Sequence, residues 1–285
     1  MRVLIVCNYS REEAGRDAML LKSWLESRGV EAVLAPDLYD HTSKVDDVAS
    51  FDLVVSLGGD GTLLRAARTV GCAGVPVLGV SYGHLGFLTC AGPENLFETV
   101  GNALHGRLHA SVRSTLDVRA EFEGEDSDVT YVVRAMALND MSIGHGLRGD
   151  VSTFEVNVSG NHIDTLHGDG FVVATATGST GYALAAGGPI VTPEFDGMVC
   201  VPVAPHTIMA RAFLTGSSDV VQITIDRTRT KETCVFADGQ PLGEGRRLLR
   251  VTCRRGPNDI VLLNRSRESF YDSVSRVFYG KAAMR

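Results

Sequence analysis

Three glycines surround one carboxylate in the stretch Gly58-Gly59-Asp60-Gly61-Thr62. Glycine allows the backbone to approach a ligand closely because it has no Cβ atom, and the N–H groups at the beginning of a helix bind phosphate. Asp60 would repel a phosphate group unless it holds a metal ion or accepts the proton of a hydroxyl group that attacks phosphorus. The stretch therefore predicts a phosphoryl-transfer site, with a tight turn bearing an exposed aspartate as the simpler alternative.

A second stretch combines an aspartate with a run of hydroxyl groups. Asp169-Gly170 precedes the apolar run 171–174, and residues 175–181 are mostly threonine, serine and glycine. Hydroxyl and backbone N–H groups bind a ribose, an adenine edge or a phosphate without adding charge, and Tyr182 offers a ring for stacking. A Ser/Thr-rich hairpin with a helix cap at Ser179 or Thr180 explains the stretch equally well.

A third glycine-rich stretch is a false lead. Gly144-His-Gly146-Leu-Arg-Gly149 matches the dinucleotide fingerprint G-x-G-x-x-G, but that fingerprint requires a helix after it. Residues 151–156 alternate as a strand does, so no phosphate loop is expected there. The sequence also has no G-x-x-x-x-G-K-[ST] motif, which excludes a P-loop ATPase.

The residues of the first stretch must be positioned by alternating strands and helices. Apolar runs at 2–7, 30–35, 53–57 and 76–80 predict buried strands, and 12–28, 62–68 and 93–104 predict helices. This alternation predicts a Rossmann-like parallel sheet with helices on both faces. Ligands of such sheets bind at the carboxyl ends of the strands, where both glycine-rich loops, 58–62 and 83–88, are expected.

After Gly106 the pattern changes to that of a mostly β domain. Period-two alternation or short apolar runs occur at 116–120, 153–158, 199–203, 220–225, 248–253 and 260–263. A helical turn is predicted at 180–186, a solvated acidic hairpin tip at 121–128, and an amphipathic helix at 269–279 that packs on the first domain. We therefore predict an α/β domain at 1–106 with 265–285 and a β-rich domain at 107–264.

Composition limits the classes of function. The 285 residues are 44% hydrophobic and 21% charged, with a net charge of −7, the balance of a globular protein with a sizeable core. The negative charge argues against a nucleic-acid partner or an anionic membrane, and no apolar run reaches the roughly 18 residues of a membrane span. Residues 1–7 are expected to form a strand rather than a signal peptide. The six scattered cysteines suit a reduced, cytoplasmic protein.

The order of the motifs along nearly the whole chain resembles that of the NAD kinase family. These motifs are Gly58-Gly59-Asp60-Gly61-Thr62, Gly83-x-x-Gly86-Phe87-Leu88, Leu138-Asn139-Asp140, Asp169 through Tyr182, Pro205-His206 with Arg211, and Asp238-Gly239-Gln240. The chain departs from the family's usual pattern at Asp140 (glutamate), Ala176 (proline), Gly181 (alanine), Ser81 (asparagine) and Ala212 (proline). The resemblance implies the family's α/β plus β fold and transfer of the γ-phosphoryl group of ATP to the 2′-hydroxyl of the adenosine ribose of NAD.

The resemblance also implies roles for individual residues. Asp60 is the expected catalytic residue; Gly58, Gly59, Gly61, Thr62 and Arg211 are expected to bind phosphate; and Gly61, Phe87, Asn139, Asp140, Asp169, Thr177, Thr180, Tyr182 and Gln240 are expected to bind NAD. A divalent metal, Mg²⁺, is expected with ATP, held by phosphate oxygens and waters rather than by a protein metal site. A cytoplasmic homo-oligomer, a dimer or tetramer, is expected.

Several alternatives remain open at this point. The glycine–aspartate motif alone also occurs in kinases that phosphorylate lipid or sugar hydroxyls. A non-catalytic dinucleotide sensor would retain the NAD-binding motifs without turnover. Arg211 is equally compatible with a structural ion pair, and His206 with a core histidine.

Overall fold

Strands and helices alternate along the first part of the chain, as the sequence pattern predicts. The computed structural model describes residues 1–36, 45–83, 86–124, 129–145, 151–226, 233–243, 245–265 and 270–280. The chain divides into two units, Met1–Arg113 with Asn258–Arg285 and Ser114–Pro257. Each unit has its own apolar core.

The first unit contains a six-stranded sheet. Its strands are β1 (Arg2–Cys7), β2 (Glu31–Leu34), β3 (Leu53–Gly58), β4 (Val77–Ser81), β5 (His109–Arg113) and β18 (Ile260–Asn264). They lie in the order β2-β1-β3-β4-β18-β5. All neighbours are parallel except β18 and β5. The central strands are almost continuously apolar because helices cover both faces of the sheet.

Three helices in this unit cover the sheet: α1 (Glu12–Glu26), α2 (Asp60–Val70) and α3 (Leu96–Leu104). α1 and α3 share an apolar core with Val3, Ile5 and Val55 on one face. α2 packs on the opposite face, where Leu63 lies against Gly79. α1 buries the alanines and leucines whose helical spacing predicted it, at positions 14, 18, 21 and 25.

Two strands of this sheet come from segments that the sequence analysis assigned to the β-rich domain. β5 and β18 pair over five residues, and β18 also pairs with β4. The boundaries between the units along the chain therefore fall at 113/114 and 257/258, whereas the sequence analysis placed them at 106/107 and 264/265. The apolar pattern identifies 260–263 as a strand but does not specify its partner.

The second unit contains two six-stranded antiparallel sheets. The first consists of β6 (Leu116–Glu123), β7 (Thr130–Ala137), β9 (Ser152–Val158), β10 (Asn161–Gly168), β14 (Val220–Ile225) and β17 (Leu248–Arg255), in the order β10-β9-β14-β17-β6-β7. The second consists of β8 (Asp140–His145), β11 (Gly170–Ala174), β12 (Val199–Val203), β13 (Phe213–Leu214), β15 (Thr233–Ala237) and β16 (Gln240–Leu242), in the order β13-β12-β11-β8-β15-β16. The predicted fold class, an α/β domain with a parallel sheet followed by a mostly β domain, is confirmed.

The core of the second unit lies between its two sheets. Phe154 of one sheet and Phe171 of the other meet edge to face, with ring centroids 6.0 Å apart. On its other face the second sheet packs against α4 (Tyr182–Ala185), which buries Ala183. The helical turn predicted at 180–186 is therefore confirmed.

The last helix, α5 (Phe270–Tyr279), packs on the first unit as predicted, through Phe270 and Phe278. A strand, β9, follows the G-x-G-x-x-G stretch, as its alternation predicts. The glycines at 146 and 149 and residues 125–128 lie outside the described residues. The solvated hairpin tip predicted at 121–128 is wrong for residues 121–123, which belong to β6, where Glu121 and Phe122 are buried. Within the described part of the chain, every helix is too short or too polar to cross a membrane.

Candidate active site

Asp60 is the first residue of α2, two positions after the end of β3. Gly59 between them is extended, with a φ of −132°. The first N–H groups of a helix have no partner within the helix, and they carry the positive end of the helix dipole. The strand–glycine–helix arrangement predicted for phosphate binding is therefore present at the carboxyl end of β3.

Thr62 holds this turn in shape. Its hydroxyl oxygen accepts hydrogen bonds from the N–H of Gly59 (3.4 Å) and from the guanidinium of Arg65 (3.1 Å). A Cβ atom at Gly58 would lie closer than 3.0 Å to the Thr62 side chain. The glycine at 58 thus makes room for the threonine, whose buried hydroxyl supports the phosphate-binding turn from within.

The carboxylate of Asp60 lies against the loop that follows β4. The N–H of Phe87 donates to Asp60 Oδ2 at 3.2 Å, and Oδ1 is buried with no hydrogen-bond partner among the described residues. Burial raises the pKa of Asp60 above its usual value, although the N–H groups of Phe87, Leu88 and Thr89 act in the opposite direction. A carboxylate in this environment accepts a proton more readily than a solvated aspartate does.

Phe87, predicted to contact NAD, packs against the C-terminal helix. Its ring centroid lies 5.5 Å from that of Phe278 and 6.4 Å from that of Phe270. The N–H of Phe87 and its ring therefore have different neighbours: the first contacts Asp60 and the second contacts α5.

Asn139 and Asp140 form the corner between β7 and β8. The carboxylate of Asp238 accepts hydrogen bonds from the N–H groups of this corner. On the other side, the hydroxyl group of Thr175 donates to a carbonyl group of the corner. The amide oxygen of Asn139 is buried without a partner among the described residues. Burial and the charge of Asp238 raise the pKa of Asp140 to about 7.

The hydroxyl-rich turn after β11 is internally hydrogen-bonded. Thr175 Oγ1 accepts from the N–H of Gly178 (3.1 Å), Thr180 Oγ1 donates to the carbonyl of Thr177 (3.2 Å), and the fully buried Ser179 Oγ donates to the carbonyl of Ala176 (2.7 Å). The turn is a 3₁₀ helix, Thr177–Thr180. The helix cap that the alternative interpretation placed at Ser179 or Thr180 is wrong: both residues lie inside the 3₁₀ helix, and α4 begins after Gly181 without a side-chain cap. Tyr182 is 45% exposed and its ring is available for stacking.

The other predicted site residues are spread over the second unit. Asp169 is half-buried between β10 and β11, and Gln240 begins β16. Arg211 is exposed and donates to the carbonyls of Ile208 and Ala210; among the described residues it forms no ion pair. His206 is exposed, so it is not a core histidine.

Two residues of the site were missed by the sequence analysis. Gly86 faces the Asp60 carboxylate, and Asp238 holds the corner at 138–140. Both belong to motifs that the sequence shows. However, Gly86 lies 26 positions along the chain from Asp60, and Asp238 lies about 100 positions from the corner that it binds. Within the described residues, no group of three or more His, Cys, Asp or Glu side chains is arranged to hold a metal ion.

Comparison with known proteins identifies the family. The model of the ATP-NAD kinase N-terminal domain matches residues 37–108, and that of the ATP-NAD kinase C-terminal domain matches 138–264. The NAD kinase of Nitrosomonas eutropha is 34% identical over 262 residues, which cover 88% of this chain and 85% of the relative. The NAD kinase of Thiobacillus denitrificans is 32% identical over 286 residues, 97% of this chain and 96% of the relative.

Solved structures show the same architecture. The yeast NADH kinase complexed with NADH superimposes with a TM-score of 0.86 at 20% identity, covering 100% of this chain and 89% of that one. The Archaeoglobus fulgidus NAD kinase in complex with ATP gives a TM-score of 0.74 at 25% identity, covering 96% and 99%. Both family models describe one class of protein, the ATP-NAD kinases. The chain belongs to the NAD kinase family.

Proposed function

We propose that the protein transfers the γ-phosphoryl group of ATP to the 2′-hydroxyl of the adenosine ribose of NAD, giving NADP and ADP. Membership of the NAD kinase family supports this reaction. The observation that carries it within the structure is Asp60: a half-buried carboxylate at the beginning of α2, with one oxygen lacking a hydrogen-bond partner among the described residues. The lone pairs of that oxygen accept no hydrogen bond from the described residues.

The first unit supplies the phosphate-binding groups. The main chain of Gly58, Gly59 and Gly61 binds the nucleotide phosphates, and Thr62 holds the turn in the conformation that presents the N–H groups. In addition to these main-chain groups, the exposed side chain of Arg211 neutralises phosphate charge.

Asp60 orients the attacking hydroxyl group. A bond forms between the 2′-oxygen and the γ-phosphorus while the bond from that phosphorus to the β–γ bridging oxygen breaks. Because the transition state is loose, the hydroxyl proton leaves late. It moves to the Asp60 carboxylate, whose raised pKa favours the transfer, and then to solvent.

The second unit supplies most of the NAD contacts. Asn139 and Asp140 bind the ribose or adenine, and Asp169 binds the nicotinamide amide. Thr177, Thr180 and Tyr182 bind the adenine–ribose end, and Gly61, Phe87 and Gln240 make the remaining contacts.

A divalent cation, Mg²⁺, accompanies ATP and neutralises charge on its phosphates. The ion would be held mostly by phosphate oxygens and waters, and the N–H groups of the glycine turn would bind the phosphates themselves. We further propose that the protein acts in the cytoplasm as a homo-oligomer, a dimer or tetramer.

The direct test is an assay of NADP formation with a panel of donors (ATP, other nucleoside triphosphates, polyphosphate) and with NAD and NADH in parallel. NADP formation from NAD and ATP is the expected result. Phosphorylation of a lipid or sugar hydroxyl without NADP formation would reject the assignment. NAD binding measured by calorimetry, with no ATP consumption, would identify a sensor instead.

A further inference from the structure

One carboxylate, that of Asp238, accepts three consecutive backbone N–H groups. Leu138 donates to Oδ2 at 2.8 Å, and Asn139 and Asp140 donate to Oδ1 at 2.7 and 3.1 Å. Hydrogen bonds to an ionised acceptor are stronger than those between neutral groups. The three N–H groups stabilise the negative charge, and the charge in turn fixes the corner between β7 and β8.

The backbone at Asp238 is shaped for this contact. Asp238 and Gly239 both have positive φ, 47° and 73°, and form the two-residue turn between β15 and β16. Aspartate and glycine are among the residues that tolerate this conformation in a hairpin. The N–H of Asp238 also donates to the carbonyl of Asp140 at 2.9 Å, so main chain and side chain of Asp238 both bind the corner.

Thr175 binds the same corner through its carbonyl groups. Thr175 Oγ1 donates to the carbonyl of Leu138 at 2.6 Å, and its N–H donates to the carbonyl of Asn139 at 2.8 Å. The main chain of Leu138 and Asn139 is therefore held on its N–H side by Asp238 and on its carbonyl side by Thr175. Because the main chain is fixed, the side chains of Asn139 and Asp140, both assigned to NAD binding, are also held in place.

Asp238 also acts on Asp140 through its charge. Asp140 is 8% exposed, and Asp238 is the charged group that raises its pKa in addition to burial. The strands that flank β8 are β11, Gly-Phe-Val-Val-Ala, and β15, Thr-Cys-Val-Phe-Ala; neither carries a charged side chain, and Cys234 of β15 is exposed. β6 also contacts β8 and carries charged side chains at 117, 119, 121 and 123, but Asp238 is the charge that raises the pKa of Asp140.

We propose that Asp238 is a positioning residue for NAD, an inference that rests on the proposed function. Its carboxylate fixes the main chain of the Asn139–Asp140 corner, and its negative charge sets the pH range over which Asp140 contributes to NAD binding. ATP is bound by other residues, so the effect is confined to the dinucleotide.

The test compares Asp238→Asn with the wild-type protein in steady-state NADP formation, from about pH 5.5 to pH 8.5. The amide removes the charge and keeps the shape. The KM for NAD is expected to rise about tenfold, the loss of one charged hydrogen bond, while the KM for ATP stays within about twofold. The midpoint of the pH dependence of the KM for NAD is expected to move to lower pH, because Asp140 loses its negative neighbour.

Two control variants accompany this one. In Asp219→Asn, an exposed turn carboxylate that accepts the N–H of Gly216 (2.8 Å) is changed in the same way, and neither KM nor the pH midpoint is expected to move. In Asp140→Asn the titrating group itself is absent, so the pH dependence of the KM for NAD is expected to disappear. Adding Asp238→Asn to this variant is expected to restore none of that dependence.

The outcomes separate the two proposals. A wild-type protein that forms no NADP rejects the proposed function. An active wild-type protein whose Asp238→Asn variant keeps the same KM for NAD and the same pH midpoint rejects the role of Asp238. If Asp238→Asn does not fold, Asp238→Glu keeps the charge on a longer side chain: it is expected to raise the KM for NAD with little shift of the midpoint, and an unchanged KM would reject the positioning role.

Discussion

Gly86 lies directly against the carboxylate of Asp60: a Cβ atom at position 86 would approach both carboxylate oxygens to less than 3.0 Å. The N–H of the next residue, Phe87, donates to the same carboxylate. The loop after β4 thus donates a hydrogen bond to Asp60 and leaves space for its carboxylate. That space exists because Gly86 has no side chain.

The first prediction is that Gly86→Ala lowers kcat about a hundredfold while the protein stays folded. The added methyl group displaces the carboxylate, and a shift of about 1 Å in a reacting group costs roughly this factor. The backbone at Gly86 does not have positive φ, so alanine is tolerated conformationally. Steady-state kinetics and thermal unfolding of the purified variant measure the two effects separately.

Gly15→Ala is the matched control. Gly15 lies within α1, and a Cβ atom there meets nothing within 4 Å. Alanine stabilises a helix interior by about 0.5–1 kcal/mol relative to glycine, so a slightly higher Tm with unchanged kcat is expected. Wild-type turnover in Gly86→Ala would mean that the Asp60 carboxylate need not stay where the structure has it.

Asp60→Asn is predicted to lower turnover about 10²- to 10⁴-fold, the usual contribution of a general base, and to raise thermal stability at neutral pH. The folded-state pKa of Asp60 is raised, so the native wild-type protein binds more protons than the unfolded chain and loses stability as pH rises through that pKa. Asparagine does not ionise, and its carbonyl oxygen still accepts the N–H of Phe87.

The measurement is the Tm of both proteins across pH. The advantage of Asp60→Asn is expected to be absent below the ordinary aspartate pKa of 3.8 and complete above the raised value. An equal or lower Tm of the variant at neutral pH would contradict the assigned burial cost. Near-normal turnover would remove Asp60 from the mechanism.

The sequence predicted those parts of the fold that depend on local pattern. The helix at 12–28 follows from apolar spacing, and the strand, glycine turn and helix around Asp60 follow from composition over about a dozen residues. The resemblance to NAD kinases rests on motif order, which is equally readable without coordinates. Both were therefore accessible from the sequence.

Long-range contacts were not accessible in the same way. The pairing of β18 with β4 and β5 joins positions about 150 to 185 apart, and a short apolar run has no feature that selects its partner. The acceptor role of Asp238 depends on a turn with positive φ that aims its side chain at 138–140. Asp238 belongs to a motif that the sequence shows, but the sequence assigned it no role, and its contacts required the structure.

The hydroxyl of Thr175 gives a third prediction. Thr175→Val keeps the shape of the side chain but removes the donor to Leu138 and the acceptor for Gly178. Buried groups left without a partner cost about 1–3 kcal/mol each, so a lower free energy of unfolding and a higher KM for NAD are expected. Denaturant unfolding and steady-state kinetics report the two quantities.

Thr175→Ser is the control, since serine retains the hydroxyl and lacks only the methyl group. It is expected to keep most of the wild-type KM for NAD and to lose less stability than valine does. If valine and serine behave alike, packing of the methyl group rather than hydrogen bonding holds the corner, and the account of Thr175 is incorrect.

The last prediction concerns the divalent cation. Chelation with EDTA is expected to abolish NADP formation, and added Mg²⁺ to restore it, because a divalent cation would neutralise charge on ATP during transfer. The Tm of the protein without nucleotide is expected to be the same with and without EDTA, since the described residues contain no cluster of His, Cys, Asp or Glu arranged to bind a metal. Mg²⁺ is expected to raise the Tm only when ATP is present, through binding of the ATP complex to the native state. A fall in Tm caused by EDTA alone would instead indicate a structural metal in the protein. Retained activity in EDTA would show that the transfer does not require a divalent cation.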